Sequence, residues 1–356
     1  MHDFMEYCLH TYFRATGWND DNHYTNLSST TRSLLNFSIP YGFSFQFSKI
    51  PTSLFKSSYS LQAIPALQGS VGYLFTSRPL RINATDAAEF SELAERIFVF
   101  SRGTTRKIPA EQVQSETITP ALKDYLLYGQ LYLPSGRLEG IYSKRISEND
   151  QFVLTGVSSP NQPGASHLTA QYQYDNGRRC NELSYTTYKS IFGLRTLWNI
   201  GKLIEAPQVP GEEKIKRTSR LSLGGELYYI AKEKSGGLST GIRFRTFDDH
   251  PFIATIICNP MMGHLSAGYT QAVSEDLTFC SRYDFNVYSY ESDLAVGAEW
   301  RVKGEGVMKT KFGLKDGFAL MFDGQYRKVH FTFGVTADVR SQSPLRSIGL
   351  QIQYCS

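Results

Sequence analysis

The segment Val329-His330-Phe331-Thr332-Phe333-Gly334-Val335-Thr336-Ala337-Asp338-Val339-Arg340 decides the fold. Its odd-numbered positions carry Val, Phe, Phe, Val, Ala and Val, whereas its even-numbered positions carry His, Thr, Gly, Thr, Asp and Arg. Side chains alternate between the two faces of a strand, so the segment is predicted to be one β-strand with an apolar face and a polar face. It is about twice the ~5–6 residues of an ordinary globular strand.

The same alternation recurs along most of the chain. From residue 218 onward it predicts ten strands, which start near Leu221, Leu238, Phe252, His264, Leu277, Leu294, Val307, Phe318, Val329 and Arg346. Upstream strands are predicted at 41–48, 54–62, 67–77, 125–133, 138–146, 151–158, 167–174, 179–187 and 191–200. The total is 19, or 20 if Ser33–Ser38 is also a strand, and the pattern alone leaves both counts open.

The length and the number of these strands favour a transmembrane β-barrel. Ten strands in the last 139 residues give roughly 14 residues per strand and turn, which suits tilted transmembrane strands of ~9–11 residues. Many long strands must close on themselves to pair their edges, and so wide a lumen could not be filled by apolar side chains. The apolar face should therefore point outward, which reconciles 22 Tyr and 23 Phe with a mean hydropathy of −0.30. A soluble β-sandwich or propeller is the alternative.

Residues 1–40 are predicted to form an N-terminal helix and a lumenal segment, and residues 41–356 the transmembrane barrel. Within the first part, residues 3–15 have the spacing of an amphipathic helix, and Gly17 is a suitable stop. The apolar face of this helix comprises Phe4, Met5, Cys8, Leu9, Tyr12 and Phe13.

Two long interruptions separate predicted strands. Residues 78–124 form a connection that contains a second helical pattern, Asp86–Phe98, and residues 201–217 are rich in proline and charge. Connections as long as the first are usually functional or disordered.

Motifs for catalysis, cofactors and metals are lacking. The string Gly237-Leu238-Ser239-Thr240-Gly241 matches the hydrolase Gly-x-Ser-x-Gly, but it begins an alternating strand rather than a strand-to-helix elbow. The five cysteines are scattered without metal-ligand spacing, and 37 basic against 33 acidic residues are too balanced for a nucleic-acid surface. We therefore expect no enzyme activity, no catalytic residues, no cofactor, no metal and no nucleic-acid partner.

Several segments resemble the fungal mitochondrial distribution and morphology protein 10 family of outer-membrane β-barrels. They are residues 31–40 (TRSLLNFSIP), 69–75 (GSVGYLF), 127–132 (LYGQLY), 259–264 (NPMMGH) and 278–292 (TFCSRYDFNVYSYES). The resemblance covers nearly the whole chain and departs at 301–307, where family members often carry a long insertion. It implies 19 strands, a mitochondrial outer-membrane location and a parallel seam between roughly 41–48 and 346–355.

The last predicted strand is similar to the C-terminal β-signal of mitochondrial barrels, polar-x-Gly-x-x-hydrophobic-x-hydrophobic. Its matching residues are Ser347, Gly349, Ile352 and Tyr354. Such a signal hands a barrel to the insertion machinery, although any outward-facing strand gives this short string by chance fairly often.

The resemblance also implies a scaffold role in two assemblies. One tethers mitochondria to the endoplasmic reticulum for lipid exchange and mitochondrial morphology, and includes mitochondrial distribution and morphology protein 12 and its lipid-transfer partners. The other is the sorting and assembly machinery, with its BamA-like insertase and the receptor of the outer-membrane translocase; membrane lipid is a further partner. Tyr73 and Phe75 match positions that the family uses for the tether, and Tyr283 and Phe285 match positions used for the assembly machinery.

Two alternatives stand beside this interpretation. The aromatic pairs could be ordinary residues of the interfacial girdles. The barrel could also be a solute channel of the voltage-dependent anion channel type, which shares the strand count and the lumenal helix, and the predicted lumenal residues Arg243, Arg245, Glu299 and Arg301 are compatible with a pore.

Overall fold

The computed structural model describes two helices followed by nineteen strands. The described residues are 3–52, 54–79, 124–161, 164, 166–201, 219–246, 250–274, 276–302, 306–326, 329–338 and 345–355. Helices α1 (Asp3–Thr16) and α2 (Ser29–Leu35) are separated by 3₁₀ turns at Asp20–Asn22 and Tyr24–Asn26. The predicted helix Asp86–Phe98, and residues 202–217 of the second predicted interruption, lie outside the described residues.

The strands follow the predicted segments closely. They are β1 Gly42–Thr52, β2 Phe55–Ile64, β3 Gln68–Thr76, β4 Tyr125–Leu133, β5 Leu138–Arg145, β6 Asp150–Ser158, β7 His167–Asp175, β8 Arg179–Thr186, β9 Ile191–Ile200 and β10 Arg220–Ile230. The others are β11 Ser235–Arg245, β12 Phe252–Asn259, β13 His264–Ala272, β14 Leu277–Asn286, β15 Ser292–Val302, β16 Gly306–Gly313, β17 Gly317–Tyr326, β18 Val329–Ala337 and β19 Leu345–Cys355. Ser33–Ser38 is not a strand, since α2 covers its first half, and the count of 19 is confirmed.

The sheet closes into a barrel through a parallel seam. Each strand pairs antiparallel with the next, and β1 pairs parallel with β19 from Gly42 opposite Gly349 to Ser48 opposite Cys355. An odd number of alternating strands makes the first and last run in the same direction, so closure has to be parallel here. The predicted seam is confirmed. Both strands begin at one rim, called here the Gly42 rim, and run toward the other, the Cys355 rim.

The barrel is apolar outside and polar inside. On β11 the outward Leu238 and Ile242 are 36% and 46% exposed, whereas the inward Arg243 and Arg245 are 4% and 9% exposed. This reverses the arrangement in a soluble protein and confirms the predicted orientation of the faces. Among the described residues, no helix is both long enough and apolar enough to cross a bilayer.

Helix α1 lies inside the barrel and ends as predicted. Gly17 adopts φ +72°, and the Trp18 amide donates to the Phe13 carbonyl at 2.8 Å, which is the hydrogen bond of a glycine-terminated helix end. The described part of the apolar helix face includes Cys8, Tyr12 and Phe13. It packs with Trp18 against inward side chains of β3–β6, namely Leu74, Leu126, Tyr128, Ile141 and Val153. The lumenal wall is therefore apolar at this place, where alternation alone predicts a polar face.

Residues 17–41 continue from α1 around the inner wall to the start of β1. The Arg145 guanidinium on β5 donates to the Thr16 carbonyl oxygen, and the Asn22 amide donates to Asp175 on β7 at 2.6 Å. Farther on, the Tyr24 hydroxyl donates to Ser239 on β11 at 2.7 Å. Polar contacts with strand after strand thus hold this lumenal segment against the wall.

Inward glycines make room for the lumenal segment. A methyl carbon placed at Gly241 would lie 2.7 Å from the Leu27 side chain, and one at Gly268 would lie 2.7 Å from Thr31. The pairs in chain order are Gly224 with Tyr24, Gly241 with Leu27, Gly268 with Thr31, Gly297 with Leu35, Gly334 with Ile39 and Gly349 with Pro40. We call these six glycines the glycine track. A side chain at any of them would occupy the space of the segment.

We predict that Gly241→Val and Gly268→Val release the lumenal segment, because the added atoms collide with Leu27 and Thr31. Overpacking of this kind costs about 1–3 kcal/mol. In the reconstituted barrel, limited proteolysis should cut residues 17–41 faster than in the parent protein, and the midpoint of thermal unfolding should fall.

The matched control is Gly225→Val on β10, where the nearest atom to an added carbon is the Ser239 carbonyl oxygen at 3.6 Å. It should leave both measurements unchanged. Equal protease resistance in all four proteins would show that the glycine track does not position the segment.

Candidate functional site

The first predicted pair, Tyr73 and Phe75, lies on the outer face of β3. The two side chains are 50% and 42% exposed. The Tyr73 ring stacks against Phe55 of β2 with ring centres 6.0 Å apart, and Phe75 lies 6.0 Å from Tyr125 of β4. Cross-strand contacts of this kind fix the ring orientation while the outer surfaces stay open. The result is a patch of four aromatic rings on β2–β4.

The second predicted pair, Tyr283 and Phe285, lies on the outer face of β14. Tyr283 is 44% exposed and Phe285 is half-buried. Their rings are nearly parallel, at 7°, with centres 6.5 Å apart. Residues two apart on a strand share a face, so the parity of the sequence correctly places both pairs outward.

The two pairs occupy different parts of the barrel. Phe75 is one residue from the end of β3 at the Cys355 rim, whereas Phe285 is one residue from the end of β14 at the Gly42 rim. Seven strands separate β3 from β14 through the seam, and ten separate them the other way. One small partner could not contact both pairs at once.

Two exposed apolar turns adjoin Phe285 at the Gly42 rim. The turn after β12 exposes Met261 and Met262, and the turn after β14 exposes Tyr288 and Tyr290. The turns brace each other, since the Tyr288 hydroxyl donates to the Pro260 carbonyl at 3.0 Å. Sequence reasoning did not select these residues as a site. The available signal was apolar side chains at turn positions, where polar residues are usual.

The four residues of the predicted β-signal lie on the seam strand β19. Ser347 and Gly349 face the lumen, whereas Ile352 and Tyr354 face outward. The Tyr354 ring stacks on Phe47 of β1 at 6.0 Å, and an added carbon at Gly349 would collide with the Pro40 backbone. In the folded barrel these residues therefore close the seam.

Lumenal charges interact with the lumenal segment. The buried Arg243 donates to the carbonyls of Asp21 and Asn26 at 3.1 and 3.3 Å, and Arg245 pairs with the Asp21 carboxylate at 2.9 Å. Arg243 and Arg245, two of the residues considered as pore lining, thus hold the segment in place.

Farther round the barrel, the ion pair of Glu299 and Lys309 also contacts the lumenal segment. The Lys309 ammonium lies 3.2 Å from Glu299 and donates to the Ser33 carbonyl at 3.0 Å. It joins the wall to α2, whose C-terminal turn is packed over the glycine track. Arg301 lies on the same inward face of β15 as Glu299.

A buried histidine of the lumenal segment, His23, lies close to a buried cysteine of β8, Cys180. His23 Nδ1 is 3.4 Å from the Cys180 sulfur, and His23 Nε2 accepts a hydrogen bond from the Trp18 indole at 3.2 Å. Both His23 and Cys180 are 2% exposed, so no substrate can reach the sulfur. The contact fastens the segment to β8. Within the described ranges, no cluster of three or more His, Cys, Asp or Glu has a metal-binding arrangement.

Comparison with known proteins agrees with this architecture. The family model described as Mitochondrial distribution and morphology protein 10 matches residues 1–305. Proteins of that name from Laccaria bicolor and Phaeosphaeria nodorum are each 34% identical to the chain, and each comparison covers the full length of both sequences. The protein of that name from Yarrowia lipolytica is 32% identical, with 99% of each chain covered. A match over most of the chain, together with full-length relatives above 30% identity, shows that this chain belongs to the mitochondrial distribution and morphology protein 10 family.

Proposed function

We propose that the protein is a scaffold barrel of the mitochondrial outer membrane, with a role in mitochondrial distribution and morphology. It would act both in the complex that tethers mitochondria to the endoplasmic reticulum and in the sorting and assembly machinery for outer-membrane β-barrels. The carrying observation is the position of two exposed aromatic pairs at opposite rims of a barrel whose lumen holds its own N-terminal segment. Aromatic side chains at such positions are frequent anchors of protein interfaces.

A bilayer location is supported by the outer wall. Leu, Ile, Phe, Tyr and Trp side chains with more than a third of their surface exposed surround the barrel, and so large an apolar surface needs a cover. A closed barrel satisfies its backbone hydrogen bonds internally, as lipid requires.

The tether surface is proposed around Tyr73 and Phe75, with mitochondrial distribution and morphology protein 12 and its lipid-transfer partners as occupants. The long connection 78–124 starts at the same rim, one short step after Phe75. An ion pair between Arg78 and Asp124, 2.9 Å apart, joins its two ends. A partner bound at the aromatic patch would therefore lie beside Arg78 and Asp124, the two ends of this connection.

The assembly surface is proposed around Tyr283 and Phe285, together with the turns that expose Met261 and Tyr288. Its occupants would be subunits of the sorting and assembly machinery, including the BamA-like insertase, and the receptor of the outer-membrane translocase.

We predict that Tyr283→Ala with Phe285→Ala selectively weakens binding to the assembly machinery. Truncation of anchor aromatics typically costs 2 kcal/mol or more, roughly a 30-fold loss of affinity. Affinity purification from mitochondria should then recover the assembly subunits poorly and the tether subunits normally. Tyr73→Ala with Phe75→Ala should give the reverse result.

The control replaces outward aromatics elsewhere on the wall, Trp198→Ala on β9 with Phe333→Ala on β18, which are similarly exposed and separated from both pairs by at least three strands. It should leave both sets of partners bound. If either double substitution abolishes binding to both assemblies, or to neither, the two proposed surfaces are not separate.

The rival function, a solute channel, makes the opposite prediction about conductance. Because the lumenal segment occupies the inner wall, the purified barrel should show little conductance in planar bilayers. Gly268→Val should increase it by loosening that segment. A large and reproducible open state of the unmodified protein would favour the channel.

A further inference from the structure

An apolar groove runs along the outer wall where β6–β10 lie side by side. It is open to the outside and has a volume of about 630 Å³, within the ~300–1,000 Å³ of typical ligand sites. One row of flanking side chains, joined by the sheet register, comprises Tyr172, Leu183, Leu194 and Leu227. The second row lies two residues closer to the Gly42 rim and comprises Ala170, Tyr185, Phe192 and Tyr229.

The second row contains one conspicuous gap. Ala170 stands beside Tyr185 in the register, and Tyr185 contacts Phe192 with ring centres 4.8 Å apart. The methyl group of Ala170 therefore leaves the groove open on the side of β7, whereas the aromatic rings bound it on the side of β8 and β9. Because the second row lies between the first row and the Gly42 rim, the gap at Ala170 opens the groove toward that rim.

Positive charge lies at the rim directly beyond the groove. Lys189 belongs to the 3₁₀ turn Tyr188–Ser190 between β8 and β9, and Lys232 and Lys234 belong to the turn between β10 and β11. The two turns are joined, since the Ala231 amide donates to the Ser190 carbonyl at 3.1 Å. Tyr229 is one residue from the end of β10, and Lys232 follows it by three residues.

One carboxylate offsets part of this charge. Glu233 pairs with Lys189 at 2.6 Å, and this hydrogen bond raises the pKa of Lys189. Three ammonium groups against one carboxylate leave an excess of two positive charges at the two turns. Three other cations at the Gly42 rim have acidic partners: Lys311 with Asp316 at 2.5 Å, Lys315 with Glu291 at 3.1 Å and Arg137 with Glu139 at 2.5 Å.

We propose that this groove is a binding site for one anionic phospholipid. The acyl chain enters from the Gly42 rim through the gap at Ala170 and lies against the apolar side chains of both rows, and the phosphate lies near Lys189, Lys232 and Lys234. Charge complementarity selects this occupant, because an apolar groove with ammonium groups on the turns at the neighbouring rim matches a lipid with a negative headgroup. The inference rests on the proposed membrane location and adds a ligand that is separate from both protein-binding surfaces.

The test is native mass spectrometry of the full-length protein released from nanodiscs of equimolar palmitoyl-oleoyl phosphatidylglycerol and phosphatidylcholine. The unmodified protein should retain one phosphatidylglycerol preferentially. Lys232→Glu with Lys234→Glu should lower the ratio of bound phosphatidylglycerol to phosphatidylcholine by about fivefold or more, since each basic residue near the surface favours anionic lipid. Both residues are exposed in a turn, so these changes should not impair folding.

Ala170→Trp should fill the gap in the second row and reduce retention of both lipids. The control is Lys311→Glu with Lys315→Glu at the same rim, which should leave the lipid ratio unchanged. Equal retention of the two lipids by the unmodified protein would overturn the proposal, as would the same loss from the control pair. If Ala170→Trp instead removes a co-purifying protein while lipid retention is unaffected, the groove belongs to a protein partner and the proposal is wrong.

This measurement needs no mitochondrial partner. If the scaffold role is wrong, proteins with mutated aromatic pairs will still recover both sets of partners, and the lipid preference in nanodiscs will persist. A failure of the lipid site would leave partner recovery sensitive to those pairs.

Discussion

Closure of the sheet between β1 and β19 is the constraint on which the rest of the structure depends. Each strand of the barrel satisfies its backbone amides and carbonyls through its two neighbours, so one missing pairing would expose two edges to an apolar environment. The parallel register from Gly42 with Gly349 to Ser48 with Cys355 supplies that last pairing. The segment that carries the resemblance to an insertion signal is the same strand, β19, that completes the closure.

Closure of the sheet and the position of the lumenal segment inside the barrel depend on each other. It enters β1 directly after passing over Gly334 and Gly349 on β18 and β19, so the inner face of the seam is covered by the chain that leads into it. Buried cations on β11 and β16 then hold the segment by its carbonyl groups. The two aromatic pairs, by contrast, lie on the outer wall near the rims.

Particular elements show how far the sequence predicts such a fold. Alternation located the strands within a few residues, because a strand with an apolar outer face and a polar lumenal face repeats its polarity every second residue. It could not identify α2, whose residues 33–35 have the same apolar content as a short strand. It also missed the apolar lumenal patch of Leu126, Ile141 and Val153, which reads as imperfect alternation until α1 is seen to pack on it. Outward parity was correct for Tyr73, Phe75, Tyr283 and Phe285, whereas the exposed turns at Met261 and Tyr288 were not foreseen.

The sequence by itself determined the strand positions, the outward direction of the apolar face and the family, since each follows from local pattern or from residue identity. Only the tertiary structure decided which glycines face the lumenal segment, that the two aromatic pairs stand at opposite rims, and that two turns carrying three lysines are joined beyond one groove. The reason is physical: local periodicity reports the environment of each face, whereas these relations arise from the register and closure of strands that are far apart in the chain.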